Sequence, residues 1–150
     1  MANEFFIKYR EESWCLESKH HIDEKTRQIF EDLVNLSINY WSDKDIEYFL
    51  ATEGRLVSKR VELPALDIYA FPNPKVIFFD EEIEKLKKII VCVYDPASAY
   101  NGMNYGILSK ILNHITSHLP NDAEIQVGLI CKKEQEGNDF YINLLAIFSD

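Results

Sequence analysis

Apolar residues are spaced most regularly between Lys88 and Asp150, and their spacing predicts alternating strands and helices. Residues 89–94 form a continuous apolar run rich in β-branched side chains, as expected for a strand that is buried on both faces. Residues 105–119 carry apolar side chains at intervals of three and four, which places them on one face of an α-helix. This part of the chain is therefore predicted to begin with a buried strand followed by an amphipathic helix.

Two more strands are predicted after that helix. Apolar and polar residues alternate over residues 124–131, which is the period of a strand with one apolar face. Residues 140–148 are apolar on both faces apart from Asn143, so we place this strand in the centre of a sheet. A strand–helix–strand connection makes the strands at 88–94 and 124–131 parallel, with a right-handed crossover.

The amino-terminal half begins with a predicted hairpin of strands at 4–9 and 14–16. A long helix is predicted over Glu24–Tyr40, because apolar residues recur there at helical spacing and Asp23 is a favourable N-cap residue. We expect this helix and the helix at 105–119 to cover the sheet.

A second, shorter helix is predicted directly after the first. Ser42 and Asp45 have the spacing of a capping box, which marks the start of a helix. Gly54 is assigned to the C′ position that ends this helix, because glycine adopts the left-handed conformation required there. Residues 55–63 alternate irregularly and are a further candidate strand.

These elements predict a single α+β domain over residues 1–150, in which helices cover a mixed β-sheet. The predicted element order in the carboxy-terminal half is β-α-β-α-β-β. The strands assigned to the sheet are 75–79, 88–94, 124–131 and 140–148, and a short helix is predicted at 81–88.

The charge of the chain restricts its partners. The formal net charge is −9, and lysines near residue 85 are interleaved with glutamates. Nucleic-acid affinity depends on basic residues that contact phosphates, so we expect no binding to nucleic acids and none to anionic membrane surfaces. A protein partner with a basic surface is favoured, because opposite charges accelerate association.

Cysteine usage indicates a reducing compartment. The three cysteines, Cys15, Cys92 and Cys131, have no metal-binding spacing, and an odd number fits free thiols better than a disulfide framework. The sequence shows neither the pattern of a signal peptide nor an apolar run of membrane-spanning length. We therefore expect a cytoplasmic protein without a bound cofactor.

The connection between the strand at 88–94 and the helix at 105–119 is the first candidate site. Ligands often bind after the carboxyl end of a parallel strand, where a helix begins and its N–H groups are free. Tyr100, Asn101 and Tyr105 are therefore predicted to contact a partner or line a pocket. A long connection of turn residues without a binding role is the alternative, and the segment taken alone favours it.

Acidic residues and histidines are the other candidates. Asp80, Glu81 and Glu82 are predicted to belong to the partner-binding surface. They could also bind a divalent cation, but a solvated acidic turn is favoured over a cation site because a helix start attracts acidic residues. His114 and His118 have the i, i+4 spacing of metal ligands, but the glutamate of a zinc protease motif is missing between them. We predict no metal site.

The order of elements in residues 75–150 resembles the carboxy-terminal domain of the tubulin and FtsZ family. The apolar strand at 89–94, the helix at 105–119 and the closing hairpin that ends near Phe148 carry this resemblance. The sequence lacks that family's glycine-rich nucleotide signature and the acidic loop that completes its GTPase site. The resemblance therefore implies the fold and a protein-contacting surface, without GTP hydrolysis.

Two functions follow from these observations. The first is a non-enzymatic, cytoplasmic protein-binding module, of which an immunity- or antitoxin-type inhibitor of a basic partner is one subtype. The alternative is a small-ligand-binding protein or an enzyme that uses residues 95–106. Because the sequence contains no nucleophile elbow, phosphate loop or dinucleotide fingerprint, we expect binding rather than catalysis, although catalytic groups can also converge only in space.

Overall fold

The computed structural model describes residues 3–63, 83–95, 105–131 and 140–150. Strands and helices both occur in this part of the chain, which confirms the α+β class. The strands are β1 (Asn3–Tyr9), β2 (Glu12–Ser18), β3 (Arg55–Leu63), β4 (Leu86–Asp95), β5 (Glu124–Cys131) and β6 (Phe140–Phe148). The helices are α1 (Glu24–Leu36), α2 (Asp43–Leu50) and α3 (Tyr105–Thr116).

Four strands form one mixed sheet in the order β3-β6-β4-β5. β4 and β5 run parallel, with Ile89 opposite Ile125, as the predicted strand–helix–strand connection requires. β6 is antiparallel to both of its neighbours and lies in the interior of the sheet. The central position predicted for residues 140–148 is therefore confirmed.

The predicted amino-terminal hairpin is also present, as a separate two-stranded antiparallel sheet of β1 and β2. Phe5 lies opposite Leu16, so one face of the hairpin is apolar. Ile7 and Leu16 are fully buried, and the hairpin packs on α1 and α2.

The large sheet has an apolar core on each face, because successive side chains of a strand point to opposite sides. Ile90 and Cys92 of β4 join the core that also contains residues of α1, α2 and the hairpin. Val91 and Val93 join the second core, which contains Ile115 of α3. Helices therefore cover both faces, as the sequence predicts.

A close approach between α1 and β5 occurs at Gly128. A Cβ atom at this position would lie 2.2 Å from Cδ2 of Leu33, far inside van der Waals contact. Only a residue without a side chain lets the helix pack this closely on the strand.

The predicted end of the first helix is wrong. α1 ends at Leu36, and Ser37 is extended with φ −71° and ψ 140°. Ser37 then forms a β-bridge with Ile130, and the Ile38 N–H donates to the Leu129 carbonyl oxygen at 2.9 Å. The chain leaves the helix because this segment binds the edge of β5.

The predicted starts of α1 and α2 are confirmed. Asp23 caps α1, and its Oδ1 accepts a hydrogen bond from the Thr26 N–H at 2.8 Å. Ser42 and Asp45 form the capping box of α2. Gly54, however, is not the C′ residue, because α2 ends at Leu50 with Ala51 as its C-cap. It has a φ of 134° and lies against the β6 backbone, where a Cβ atom would clash.

Two further predictions differ from the structure or lie beyond it. The helix predicted at 81–88 is wrong over its described part, because Ile83–Lys85 forms a single 3₁₀ turn and β4 begins at Leu86. The strand predicted at 75–79 lies outside the described residues. The neighbour of β6 at the sheet edge is β3, which confirms the candidate strand at 55–63.

Candidate functional site

The partner-binding residues predicted from the sequence fall almost entirely outside the described part of the chain. Asp80, Glu81, Glu82, Tyr100 and Asn101 are not described. Tyr105 is the first residue of α3, and its side chain is likewise outside the description. Their role therefore stays a prediction.

A different tyrosine surface is present on the described residues. Tyr40 follows α1 and is 83% exposed, and Tyr48 on α2 is 55% exposed. Asp45 lies one helical turn before Tyr48, and together with Tyr40 it lines a groove of ≈ 240 Å³. Glu124 accepts a hydrogen bond from the Tyr48 hydroxyl at 3.1 Å. We call Tyr40, Asp45, Tyr48 and Glu124 the tyrosine surface.

Lys88 shows how the tyrosine surface binds a cation. Its Nζ lies 3.5 Å from the centroid of the Tyr48 ring and 3.8 Å from Oε2 of Glu124. The same ammonium group donates to the Tyr48 carbonyl oxygen at 3.4 Å. An aromatic face next to a carboxylate thus binds an ammonium group by cation–π attraction and charge together.

The groove lies where Tyr40 and Asp45 of the tyrosine surface meet Gln126 and Val127 of β5. It is lined by Asn39, Tyr40, Trp41, Asp45, Gln126 and Val127. Asp45 is fixed there by the capping box, since its Oδ2 accepts from the Ser42 N–H at 2.8 Å. Trp41 is buried, and its indole N–H has no hydrogen-bond partner in the described ranges.

A short segment after α1 covers the later half of the β5 edge. The Asn39 side chain donates to the Val127 carbonyl oxygen at 2.7 Å and accepts from the Leu129 N–H at 3.2 Å. The Ile38 N–H donates to the Leu129 carbonyl oxygen. Among the described residues, no such hydrogen bond reaches the outward backbone groups of Ile125. Within the described part of the chain, the first half of the edge is therefore uncovered.

A polar cluster is buried on the α1 side of the sheet. Asp32 is 6% exposed and accepts hydrogen bonds from the Tyr94 hydroxyl at 2.9 Å and from the Gln28 amide at 3.1 Å. The rings of Tyr94 and Tyr141 stack with their centroids 4.2 Å apart. The guanidinium carbon of Arg60 lies 3.9 Å from the Tyr141 centroid.

Burial keeps the phenols of this cluster protonated at neutral pH. It raises the pKa of the Tyr141 hydroxyl to about 12 and moves the pKa of Tyr94 above its ordinary range, with the Cys92 thiol and Asp32 adding to the second shift. A protonated Tyr94 donates to the Asp32 carboxylate. Tyr94 therefore serves as a hydrogen-bond donor to Asp32, and neither phenol supplies a base at neutral pH.

The two described cysteine thiols are weak nucleophiles. Burial raises the pKa of Cys92, which is fully enclosed in the core. The pKa of the exposed Cys15 thiol is also raised, by desolvation and by Glu4, whose Oε2 lies 3.7 Å from the sulfur. Because the thiolate is the reactive form, neither group is activated.

The histidine pair on and after α3 packs ring against ring. The imidazoles of His114 and His118 meet edge to face with their centroids 5.4 Å apart. Desolvation, followed by the charge of His118, lowers the pKa of His114. Within the described residues, no three histidine, cysteine or acidic side chains are grouped so that they could hold a metal ion.

Membrane-spanning helices are not found in the described ranges, where every helix is too short or too polar to cross a bilayer. No protein-family model matches the chain, and no curated protein matches it.

Solved structures of FtsZ from M. jannaschii share the fold. An empty FtsZ dimer matches with a TM-score of 0.60 and 14% sequence identity, over 83% of this chain and 37% of that chain. A mutant of FtsZ from the same organism matches with a TM-score of 0.62 and 15% identity, over 84% of this chain and 39% of that chain. The fold resemblance expected for residues 75–150 is confirmed and extends beyond them.

This similarity is one of fold alone, because the sequence identity is so low. The chain spans less than two fifths of the FtsZ chains that it matches. Fold does not determine function, so the surfaces of this chain have to indicate what it binds.

Proposed function

We propose that the chain is a non-enzymatic, cytoplasmic protein-binding module that binds a basic surface of another protein through the tyrosine surface. Exposed Tyr40 and Tyr48 beside Asp45 and Glu124 carry the proposal. Tyrosine is enriched at binding hot spots because it combines a large apolar ring with a hydroxyl group. The more specific form of the proposal is an immunity- or antitoxin-type inhibitor that masks the basic surface of its partner.

The chemistry of the tyrosine surface supports a lysine- or arginine-bearing partner. The contacts of Lys88 with Tyr48 and Glu124 are an intramolecular example of the same recognition. The net charge of −9 adds long-range attraction, which raises the association rate and weakens with salt.

The test is affinity purification of the tagged chain from its own cells, at low and at high salt, followed by mass spectrometry. A Tyr40→Ala, Tyr48→Ala double variant is compared with a Tyr100→Ala, Tyr105→Ala double variant, which removes the tyrosines predicted from the sequence. We expect a stoichiometric basic partner that is weakened by salt and lost with the first double variant. Urea unfolding of both variants shows that the loss is not a folding defect.

The outcomes distinguish the tyrosine surface from the 95–106 connection, and they show whether a basic partner exists. Loss of the partner only with the Tyr100 and Tyr105 substitutions would move the site to the 95–106 connection. The absence of any stoichiometric basic partner would contradict the proposed function.

A second candidate function is small-ligand binding or catalysis that uses residues 95–106. The buried hydrogen bond between Asp32 and Tyr94 favours it, because Tyr94 lies next to the carboxyl end of β4 and ligands often bind after such strand ends. A metabolite that raises the melting temperature of the wild type, and does not do so for Asp32→Asn, would support this alternative.

A further inference from the structure

We propose that the first half of the β5 edge, residues 124–127, binds an extended basic segment of the partner as an added β-strand. This inference rests on the proposed function, which supplies the basic partner, and it adds how that partner binds. Backbone groups of Ile125 and Val127 would pair with the partner, while the tyrosine surface binds its lysine or arginine side chains.

Alternation along β5 identifies the backbone groups that point away from the sheet. Leu129 uses both its N–H and its carbonyl oxygen to bind Asn39 and Ile38, and the Val127 carbonyl oxygen binds Asn39. In a regular strand, both backbone groups of one residue point to the same edge, and every second residue repeats this direction. The Val127 N–H and both backbone groups of Ile125 therefore also point outward.

These outward groups are available for pairing. None of the three has a hydrogen-bond partner among the residues that the structure describes. The segment 37–39 reaches β5 only from Val127 onward, and residues 124–127 remain exposed or half-buried. An unpaired row of N–H and carbonyl groups is the template on which β-strand addition occurs.

The groove provides space beside this edge. Gln126 and Val127 form its β5 side, while Tyr40 and Asp45 form the opposite side. Its volume of ≈ 240 Å³ accommodates side chains of an extended segment rather than a whole helix. A strand paired with Ile125 would thus place alternate side chains next to the tyrosine surface.

Charge determines which strand fits best. Asp45 lines the groove with Gln126, and Glu124 lies two residues before Gln126 on the same face of β5, so lysine or arginine at alternate positions of an added strand would lie near a carboxylate. A second copy of this chain is a poorer occupant, because two chains of net charge −9 repel each other. We therefore commit to a basic partner segment.

The probe for the test is a blocked heptapeptide of alternating lysine and valine, added at millimolar concentration to the ¹⁵N-labelled full chain. We expect the largest amide shift changes at Ile125 and Val127, with little change at Leu129. Methylation of every peptide N–H keeps the charge but blocks pairing, and it should weaken binding at least about tenfold. A glutamate–valine peptide should show no binding.

A matched pair of protein variants supports the peptide experiment. Gln126→Lys introduces a charge that repels the lysine peptide and should weaken it about fivefold, which corresponds to about one lost surface charge pair. Asn113→Lys adds the same charge at an exposed position of α3, outside the groove, and should bind the peptide normally. The methylated peptide tests the pairing without altering the protein.

The opposing outcomes are distinct. Equal binding of the methylated peptide, or shift changes that avoid Ile125 and Val127, would overturn strand addition and leave the proposed function standing if affinity purification yields a basic partner. Protection of the same two amides with rising protein concentration and no peptide would identify a second copy as the occupant and overturn the proposal.

Discussion

The two halves of the β5 edge differ in what they contact. The later half is covered by the segment 37–39, and Gly128 lets Leu33 pack directly on the strand. The earlier half has outward backbone groups without described partners and borders a groove that the exposed Tyr40 lines. The two halves of one strand therefore serve different roles. Substitutions in the covered half should affect stability, and those in the open half should affect binding.

The largest expected effect comes from filling the close contact of the covered half. Gly128→Ala should lower the free energy of unfolding by about 1–3 kcal/mol, because its Cβ would overlap Leu33 and force α1 away from β5. Urea denaturation measures the change. Gln126→Ala, two residues earlier in the open half, should change stability by no more than about 0.5 kcal/mol. An equal loss of unfolding free energy in both variants would show that the two halves of the edge do not differ in their contribution to stability.

The next effect concerns the hydrogen bonds that cover the edge. Asn39→Ala removes the two bonds from this side chain to Val127 and Leu129 and should cost about 1–2 kcal/mol. It should also accelerate amide exchange at Leu129, because the open edge becomes longer. Asn113→Ala, at an exposed position of α3, is the control and should cost nothing. An unchanged exchange rate at Leu129 would count against the covering role of Asn39.

A smaller effect is expected at the helix that carries Tyr48 and Asp45. Ser42→Ala removes the capping box of α2 and should lower stability by about 1 kcal/mol. It also removes the hydrogen bond that the Ser42 hydroxyl donates to the Asp45 carboxylate at 3.0 Å, so Asp45 is held less firmly beside the groove and the groove should lose affinity for the lysine–valine peptide. Ser109→Ala in α3 controls for loss of an exposed hydroxyl. Unaltered stability would contradict the contribution of the cap.

The smallest effect is a pH dependence at the start of α1, the helix that leads into the covering segment. The hydrogen bond from Thr26 lowers the pKa of Asp23 in the folded chain below its unfolded value of about 3.9. The stability from this group is therefore present above the unfolded pKa and is lost as pH falls through the folded pKa. Asp23→Asn should flatten the stability profile below about pH 4. An identical profile for wild type and variant would show that Asp23 makes no such contribution.

The sequence predicts the centre of the fold better than its edges. Continuous apolar runs identify β4 and β6, because strands buried on both faces need apolar side chains at every position. The sequence predicts that α1 continues to Tyr40, because Leu36 and Trp41 continue the apolar spacing. The chain instead leaves the helix at Ser37. The run Ser37-Ile38-Asn39 is the available signal, since none of these residues is a strong helix former.

The candidate site was harder to predict. Tyr48 lies off the apolar helix face of Ile46, Phe49 and Leu50, which is a signal of its exposure. The exposure of Tyr40 depends on the path of the chain after α1. The open edge of β5 depends on where the segment 37–39 stops, and no local pattern specifies this. The buried pair of Asp32 and Tyr94 likewise joins residues far apart in the chain. The predicted set of Tyr100, Tyr105 and the acidic turn remains a prediction.

The most direct test is amide hydrogen exchange along β5, with and without the purified basic partner. In the free chain, the amides of Ile125 and Val127 should exchange faster than that of Leu129, which is bonded to Asn39. With the partner, the first two should slow at least about tenfold while Leu129 stays unchanged, because an added strand supplies their missing hydrogen bonds. If the partner binds and the exchange at Ile125 and Val127 does not change, the edge of β5 is not the binding surface.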